Sequence, residues 1–559
     1  MSVAFWAARK RQKKNARLEF QLKDPNTFLF KTRYVSNHDC FEPFTCVSRC
    51  NYEVDKGELP RVFNIAAEND FEIVPVPDYV EAALAFDVNH AFDEAFTETE
   101  IWKKMFDFQK EGVRAVVTRF GGRAIIGDEM GLGKTLQALA LCKYYKHKRV
   151  LVICPAYLRY NWEAEIKKWI GEWTNIIMIK KGTDDIDDED GFVITSYELA
   201  TKKKDDLKRL KYQMAVVDES HYLKGHRTKR TRGLTPVLKK MTHTILLTGT
   251  PCLNRPCELF SQAHIVRPEY FKKWRPYTKR YCDGQMSPLG FYEFGGKSNQ
   301  SELHWLSKQT VMIRRMKKDV LKDLPPKIRT QMYLPTPPGK SRPLKPLFQE
   351  WKQINKEIRT MVPCSKEIKE AAFRRKTIIG QLFLKTGEAK LSAVQTVIKD
   401  LVAQDVKFIV FAYHMSFMDG ICETLAASNT TYMRIDGSTS LEKRNEYVDD
   451  FQNGKIQVAV LSLLAASTGL TLTACSTLLF AQLYYVPGVM AQAEDRINRI
   501  GATQTSDIRY LIAKDTLDEH LYKMLNWKLE TLHNLLDGQH EEGLDGLTVD
   551  LENDYKLTS

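Results

Sequence analysis

The stretch Gly127-Asp-Glu-Met-Gly-Leu-Gly-Lys-Thr135 lies between an apolar run, Ala124 to Ile126, and a helix-period segment from Leu136 to Tyr145. A buried strand, a glycine-bearing turn and a helix start, in that order, make a phosphate-binding unit. Gly131 and Gly133 let backbone N–H groups turn towards an anion. Lys134 can reach the β- and γ-phosphates of a nucleotide, and the Thr135 hydroxyl can hold Mg²⁺. Asp128 occupies the first glycine position of the strict phosphate-loop pattern, so a stray Gly-Lys-Thr in a loop is the competing reading. The strand–loop–helix context weighs against it.

Outward from this stretch, short aliphatic runs recur. Ala124 to Ile126, Val150 to Cys154, Phe192 to Thr195, Ala215 to Val217 and Thr244 to Leu247 form one series. Phe408 to Phe411, Val458 to Leu461, Thr477 to Phe480 and Tyr510 to Ala513 form a second. Runs without polar alternation suit strands buried on both faces of a parallel sheet. Helix-period segments such as Trp162 to Trp169 lie between them, so the chain reads as two βαβ-type blocks. A proline-rich stretch from Pro325 to Pro346 separates the blocks and reads as a linker, followed by a basic helical segment over 347–385. The acidic run Asp184 to Asp190 reads as a solvated loop. Thr516 and Glu519 form a capping box that opens a leucine-bearing helix.

Three more stretches carry chemistry. In Val216-Val-Asp-Glu-Ser-His221, a strand ends on adjacent carboxylates. Asp218 can sit on a metal's water shell and Glu219 can orient and polarise an attacking water. A strand-end Asp-Glu pair is structural more often than not. Behind a phosphate loop in the same sheet, the functional reading takes over. His221 either couples the nucleotide to a partner or hydrogen-bonds within its turn. Leu246-Leu-Thr-Gly-Thr-Pro251 puts Thr248 and Thr250 at another strand end, where they contact carboxylates or a ligand, or simply close a turn. In Arg496-Ile-Asn-Arg-Ile-Gly501, Arg496 and Arg499 share one helix face. Two guanidinium groups so placed can grip a transferred phosphate as arginine fingers, or form a plain surface pair.

Composition bounds the reading. The chain has 559 residues, with 83 Lys plus Arg against 70 Asp plus Glu, a net charge of +13. At roughly 150 residues per domain, three to four domain-sized units are expected. Hydrophobic content of 43% and charge of 27% exclude a fully disordered chain. No run approaches the roughly 18–20 apolar residues of a membrane span. A pI near 9.0 favours an anionic partner. The N-terminus carries a basic arm (Arg9 to Arg17) in place of a secretory core, readable as a nuclear-targeting or phosphate-contacting stretch or as a solvated tail. Eleven scattered cysteines point to a reducing, intracellular compartment. Cys46 and Cys50, with Cys40 and His38, would supply half a zinc site, but no second close pair follows.

Taken in order, Phe108-Gln109, the Asp-Glu-Met-Gly-Leu-Gly-Lys-Thr loop, Asp-Glu-Ser-His, Leu-Thr-Gly-Thr-Pro and then Gln492-Ala-Glu-Asp-Arg-Ile-Asn-Arg-Ile-Gly501 resemble the Snf/Swi family of superfamily-two helicase-like ATPases. The resemblance covers roughly residues 100 to 530. Cys154-Pro155 with Trp162, Ile435-Asp-Gly-Ser438 with Arg444, and Ser467-Thr-Gly-Leu-Thr471 match as well. Within the family, Tyr281-Cys-Asp-Gly284, Val311 to Leu321, Phe411-Ala-Tyr-His414 and Pro487-Gly488 are similar to the annealing-helicase, HepA-related branch. The resemblance implies two tandem RecA-like lobes with parallel sheets, helical insertions and a short N-terminal region. It also implies that the family's loop tolerates Asp128 and that Gln109 recognises adenine. Asn498 stands where the family usually has His, and Ala502 where it usually has Gln. Residues 1 to 95 hold no clear copy of the branch's accessory substrate-recognition repeat.

The organisation expected is an N-terminal region with a basic arm (1–95), lobe one (96–330), a linker and helical protrusion (331–385), lobe two (386–537) and an acidic tail (538–559). ATP and Mg²⁺ are the expected ligands, held by Gln109, Asp128, Gly131, Gly133, Lys134, Thr135 and Asp218, with Glu219, Arg496 and Arg499 acting on the reaction. DNA contacts are expected from Lys224, Arg227, Lys229, Arg230, Arg232, Arg314 and Arg315. The function expected is a nuclear, DNA-dependent ATP hydrolase that translocates on duplex or branched DNA and remodels it or its protein complexes. Partners would be DNA, nucleosomes or replication and repair proteins. The other readings are a chromatin remodeller or transcription regulator of the family, an RNA helicase, against which Asp-Glu-Ser-His speaks, and a DNA-binding scaffold without turnover.

Overall fold

Leu18, Phe20 and Leu22 alternate with polar neighbours, and one face of the first strand is buried in consequence. In the computed structural model, the residues described are 17–537, except 34–40, 42–43, 49–50, 70, 173, 187–188, 253, 287–291, 322–324, 338, 340–341, 361–365, 465–471 and 499–503. The basic arm's first residues and the acidic tail lie outside them. Strands β1 (Arg17–Leu22), β2 (Thr27–Arg33), β3 (Thr45–Ser48), β4 (Asn51–Asp55) and β5 (Glu72–Val74) form a five-stranded sheet in the order β3-β4-β2-β1-β5. It is antiparallel except for the β1–β5 pair, and a helix, Leu59–Glu68, precedes β5. The sequence reading did not anticipate this sheet.

Next come β6 (Arg123–Ile126), β7 (Arg149–Cys154), β8 (Ile176–Met178), β9 (Gly191–Ser196), β10 (Met214–Asp218) and β11 (His243–Leu247). After a small hairpin, β12 (Gln285–Met286) with β13 (Tyr292–Glu293), the strand β14 (Met312–Ile313) completes a parallel sheet ordered β14-β6-β11-β10-β7-β9-β8. Alternate residues serve opposite faces. Ile125, Leu151, Ile153, Ala215, Val217 and Leu246 enter one core, while Ala124, Ile126, Val150, Val152, Val216 and Leu247 enter the other.

The second parallel sheet holds β15 (Lys327–Leu334), β16 (Phe408–Ala412), β17 (Tyr432–Ile435), β18 (Val458–Ser462), β19 (Thr477–Phe480) and β20 (Ser506–Ala513). Its order is β15-β20-β19-β16-β18-β17. The architecture is therefore α/β with two parallel-sheet lobes. β15 runs through the stretch expected to be linker and across the boundary drawn after residue 330. Its residues are largely exposed because it is an edge strand, so no buried apolar run marks it. Helices Leu344–Thr360 and Lys366–Ala403 follow, and the second runs across the 385/386 boundary into lobe two. The helix Leu517–Asp537 starts in lobe two's core and ends with Leu536 in a core cluster of lobe one. No helix among the described residues is long and apolar enough to cross a membrane.

The N-terminal sheet is fastened to lobe one around Glu302, which is fully buried. Its carboxylate accepts from the Arg280 guanidinium at 2.8 and 2.6 Å, from the Tyr281 hydroxyl at 2.8 Å and from the Leu22 backbone N–H at 3.1 Å. Arg280 also donates to the Phe20 carbonyl at 2.9 Å. Removing one member of a buried ion pair strands the other. Glu302→Ala should therefore cost about 3–5 kcal/mol in denaturant unfolding, and protease should cut the N-terminal sheet first.

Candidate active site between the lobes

The loop after β6 turns because Gly131 and Gly133 adopt φ of 85° and 70°. A Cβ at Gly133 would stand 2.3 Å from Gln109 Nε2, so no other residue fits there. Gln109 braces the loop: Nε2 donates to the Leu132 carbonyl at 3.0 Å, and Oε1 accepts from the Phe106 N–H at 3.0 Å. Lys134 opens the helix Lys134–Tyr145 and its ammonium donates to the carbonyls of Asp128 (2.8 Å) and Glu129 (3.1 Å). Burial pushes its pKa down, against the pull of Glu219, Asp128, Asp218 and Asp495. Thr135 follows in the same first turn, half-buried.

Asp128 is wholly buried. Arg315 grips it with two hydrogen bonds, 3.0 and 2.6 Å, and Gln137 adds a third at 2.9 Å. Arg315 also donates to Gln137 Oε1 at 3.0 Å and lies 5.4 Å from the Phe108 ring centroid. Its neighbour Arg314 donates to the carbonyls of Gly127 (2.9 Å) and Gly249 (3.3 Å). Both arginines were expected on a DNA-facing surface. Here Arg315 binds the phosphate loop from the far end of lobe one, because a buried carboxylate outcompetes solvent for a guanidinium, and Arg314 is held by the Gly127 and Gly249 carbonyls.

Asp218 ends β10 and Glu219 follows it. The Trp162 indole donates to Asp218 Oδ2 at 2.9 Å, and the Glu219 N–H to Oδ1 at 2.9 Å. Burial, with the Glu219 charge beside it, raises Asp218 to about 6. Glu219 moves the other way: burial opposes its charge, but His221, Lys134 and Arg496 hold it below the usual carboxylate range. Its backbone is left-handed, φ 51°. His221 Nδ1 lies 3.1 Å from Glu219 Oε2 and 3.3 Å from Thr248 Oγ1, so it links the two strand-end motifs. Thr248 accepts from the Thr250 N–H at 3.1 Å, and Thr250 in turn accepts from Gln492 Nε2 of lobe two at 3.2 Å.

From lobe two, Arg496 enters buried, with Nε on the Gln492 carbonyl at 3.1 Å and Glu219 among the charges acting on it. Arg499, Ala502 and the stretch Ser467 to Thr471 lie outside the described residues. Arg444 binds the carbonyls of Thr439 and Asp436 at 2.9 and 2.7 Å. Tyr157 was not singled out from sequence. Glu219, Tyr222 and Asp218 of lobe one and Arg496 of lobe two all act on its phenol, which burial drives far upward. Its position three residues after Cys154, in a motif already quoted, was the available signal.

Of the remaining basic candidates, Arg227, Lys229 and Arg232 are exposed at the start of the helix Lys229–Lys240. Lys224 pairs with Glu258 at 3.3 Å. Arg230 lies over the stacked rings of Tyr197 and Tyr222 at 5.4 and 5.2 Å, and the Tyr197 hydroxyl donates to the Asp218 carbonyl at 2.6 Å. Among the described residues no group of His, Cys, Asp or Glu is arranged to hold a metal by itself. Of the suggested zinc ligands only Cys46 is described, and it is exposed.

Comparison with protein families matches residues 108–370 to the SNF2-related domain and 389–501 to the helicase conserved C-terminal domain. The chain belongs to the SNF2 family of helicase-like ATPases. Its curated relatives include the human DNA annealing helicase and endonuclease ZRANB3, 38% identical over 460 residues, which are 80% of this chain and 42% of that protein. The SWI/SNF-related matrix-associated actin-dependent regulator of chromatin subfamily A-like protein 1 of Xenopus tropicalis is 36% identical, covering 79% of this chain and 46% of its own. The Caenorhabditis elegans homolog of the latter is 34% identical, covering 82% and 65%. This SNF2-family chain thus spans less than half the length of the first of these relatives.

Arg315→Ala would leave Asp128 buried without its cation. It should weaken binding of a fluorescent ATP analogue about tenfold or more, measured by anisotropy, because the phosphate loop loses its tether.

Proposed function

We propose that the chain is a nuclear DNA-dependent ATPase that translocates on duplex or branched DNA and remodels it or its protein complexes. The observation that carries this reading is the meeting of Glu219 and Arg496 from opposite lobes in one buried cleft. The names of the relatives support DNA annealing as the substrate class.

The residues suit ATP. Lys134 and the loop amides freed by Gly131 and Gly133 would hold its phosphates, and Gln109, bonded to the loop at Leu132, would contact the base. The donor set of Thr135 hydroxyl and Asp218 carboxylate also suits Mg²⁺, which would offset the phosphate charge when bound. Glu219, kept ionised, accepts a proton from the attacking water, and His221 fixes the carboxylate's orientation. Arg496 approaches from lobe two and stabilises the charge that develops on the transferred phosphoryl group. ATP contacts from both lobes favour the closed arrangement, and their loss on hydrolysis releases it. Duplex DNA would lie along the exposed Arg227, Lys229 and Arg232, held through its phosphates without base readout. Arg230, stacked on Tyr197 and Tyr222, stands between that face and the carbonyl of Asp218.

ATP hydrolysis should rise strongly when duplex or forked DNA is added and fall as salt is raised. Lys134→Ala and Glu219→Gln should each abolish the stimulated turnover; retention in either would remove that residue from the site. A preference for forks over duplex, single-stranded and nucleosomal DNA in the same assay is the expected sign of annealing activity.

The pH profile offers a separate check. Asp218 must be ionised to serve as an Mg²⁺ ligand, and its pKa lies at about 6. kcat/KM for Mg-ATP should fall about tenfold per pH unit as pH drops below about 6. Trp162→Phe removes a hydrogen bond that holds this pKa down, so the acid limb should move upward.

A further inference from the structure

The segment joining the lobes carries two lysines, Lys317 buried and Lys327 partly buried, that the reaction described above does not use. Lys317 follows β14 and is rooted in lobe one, where its backbone N–H donates to Glu129 Oε2 at 2.7 Å. Its ammonium, however, crosses to lobe two and donates to Asp495 Oδ1 at 2.8 Å and to the Asn498 carbonyl at 2.6 Å. Lys327 does the reverse. It begins β15 in lobe two, donates to the same Asp495 oxygen at 2.6 Å, and reaches to 3.9 Å from Glu129 Oε1 of lobe one.

Each lysine is thus planted in one lobe and charged against both, and the two share one carboxylate oxygen. The ends of this arrangement are the two catalytic peptides. Glu129 belongs to the phosphate loop, and its carbonyl receives the Lys134 ammonium at 3.1 Å. Asp495 immediately precedes Arg496. The surroundings are equally committed: Arg329 is bidentate on Glu494 (3.0 and 2.7 Å), the Tyr510 hydroxyl donates to Glu494 at 2.6 Å, and the Asn498 amide donates to the Pro325 carbonyl at 3.0 Å. Asn498 therefore anchors the joining segment through both its side chain and its backbone. Four charged groups gathered here, Lys317 and Asp495 buried and Lys327 and Glu129 partly so, cost more to desolvate than packed apolar residues of the same volume. Stability alone gives no reason to keep them at this junction. The pairs Lys317–Asp495 and Lys327–Glu129, which cross between the lobes and exist only when the lobes are together, do give one.

We propose that Lys317 and Lys327 form an inter-lobe latch. They are positioning residues that lock the Asp495–Arg496 peptide against Glu129 of the phosphate loop, so that Arg496 is in register only when the loop is in its closed arrangement. This rests on the ATPase reading above.

The test uses the full chain with Lys317→Met, Lys317→Arg and Lys327→Met. Lys317→Met should lower kcat at saturating duplex DNA about tenfold or more, since small misplacements of a catalytic group are expensive in rate. KM for ATP, the Kd for DNA and the melting temperature should stay within about twofold to threefold and a few degrees of the parent. Lys317→Arg, which keeps the charge, should recover a substantial part of kcat. Lys327→Met in the Lys317→Met background should add less than its effect alone, because both act on one carboxylate. A separate readout does not depend on turnover: with one dye on each lobe, a non-hydrolysable ATP analogue should raise energy transfer in the parent chain and not in Lys317→Met. Parent-like kcat in Lys317→Met, loss that follows unfolding and is not recovered by arginine, or an unchanged closure signal would each overturn the latch. If the parent chain itself hydrolyses no ATP on DNA, the ATPase reading fails, and the closure signal still decides the latch.

Discussion

A charge withdrawn from water into the space between two rigid sheets has to find its opposite there, and this requirement arranges the whole cleft. Asp128, Asp218 and Glu219 lie at the C-terminal ends of strands or on the loops that follow them, Lys134 opens the helix after one such loop, and Asp495 and Arg496 follow a helix of lobe two, Pro487–Glu494. Parallel sheets collect such loops on one edge, and two lobes facing each other bring two such edges together. The pairing then cannot be local. Asp128 is answered by Arg315 from the end of lobe one, and Asp495 by lysines on the joining segment, whose charges hold it well below the usual carboxylate range despite its burial. Neutrality is reached only when the loop, the joining segment and lobe two are all in place.

The same constraint separates two adjacent carboxylates into different roles. Asp218 and Glu219 share a strand end, and two charges so close cannot both ionise freely. The neighbouring groups distribute unevenly: His221, Lys134 and Arg496 act on Glu219, whereas Asp218 has Lys134, the Trp162 indole and a backbone N–H and is pushed up to about 6. Glu219 is thereby ionised near neutral pH and free to orient the attacking water, and Asp218 is the group whose charge a cation would draw out. The left-handed backbone at Glu219 turns its side chain away from the strand axis towards His221, and the Thr248–Thr250–Gln492 chain carries that position across to lobe two. A hydrogen-bonded chain thus runs from Gln492 of lobe two to His221, which lies 3.1 Å from the Glu219 carboxylate.

Much of this was legible in the residues. Central strands buried on both faces announce themselves as unbroken aliphatic runs, and all nine runs read that way fall within strands of the two parallel sheets. Glycines beside a strand end and paired carboxylates at another carry their chemistry in their spacing. What escaped did so for identifiable reasons. Leu18, Phe20 and Leu22 do alternate, but the basic residues before them drew the reading towards a tail. β15 sits among prolines and faces solvent, so neither period nor hydrophobicity reveals it. Arg315 and Lys317 look like any basic cluster, because their partners are 187 and 178 residues away in sequence. Buried pairing over such distances leaves no local trace.

The division of forces between and within the lobes follows from what each has to do. Each lobe keeps its own apolar clusters, and among the described residues only Leu536, at the end of the last helix, joins a cluster of the other lobe. Hydrophobic burial is proportional to area and indifferent to direction, so an apolar interface would hold the lobes at one separation and charge heavily for parting them. Ion pairs and hydrogen bonds behave differently: Lys317–Asp495, Lys327–Glu129 and Gln492–Thr250 depend steeply on geometry, and their groups are rehydrated when they separate. The cleft can therefore open at small net cost and yet close into a single register. The Lys297 ammonium over the Trp527 ring at 4.6 Å adds a contact of the same kind on the outer side, between lobe one and the last helix. An apolar core inside each lobe and a polar seam between them is the division of labour a two-lobed machine needs, because the rigidity that keeps Lys134, Asp218 and Glu219 in place must not extend to the joint that moves Arg496.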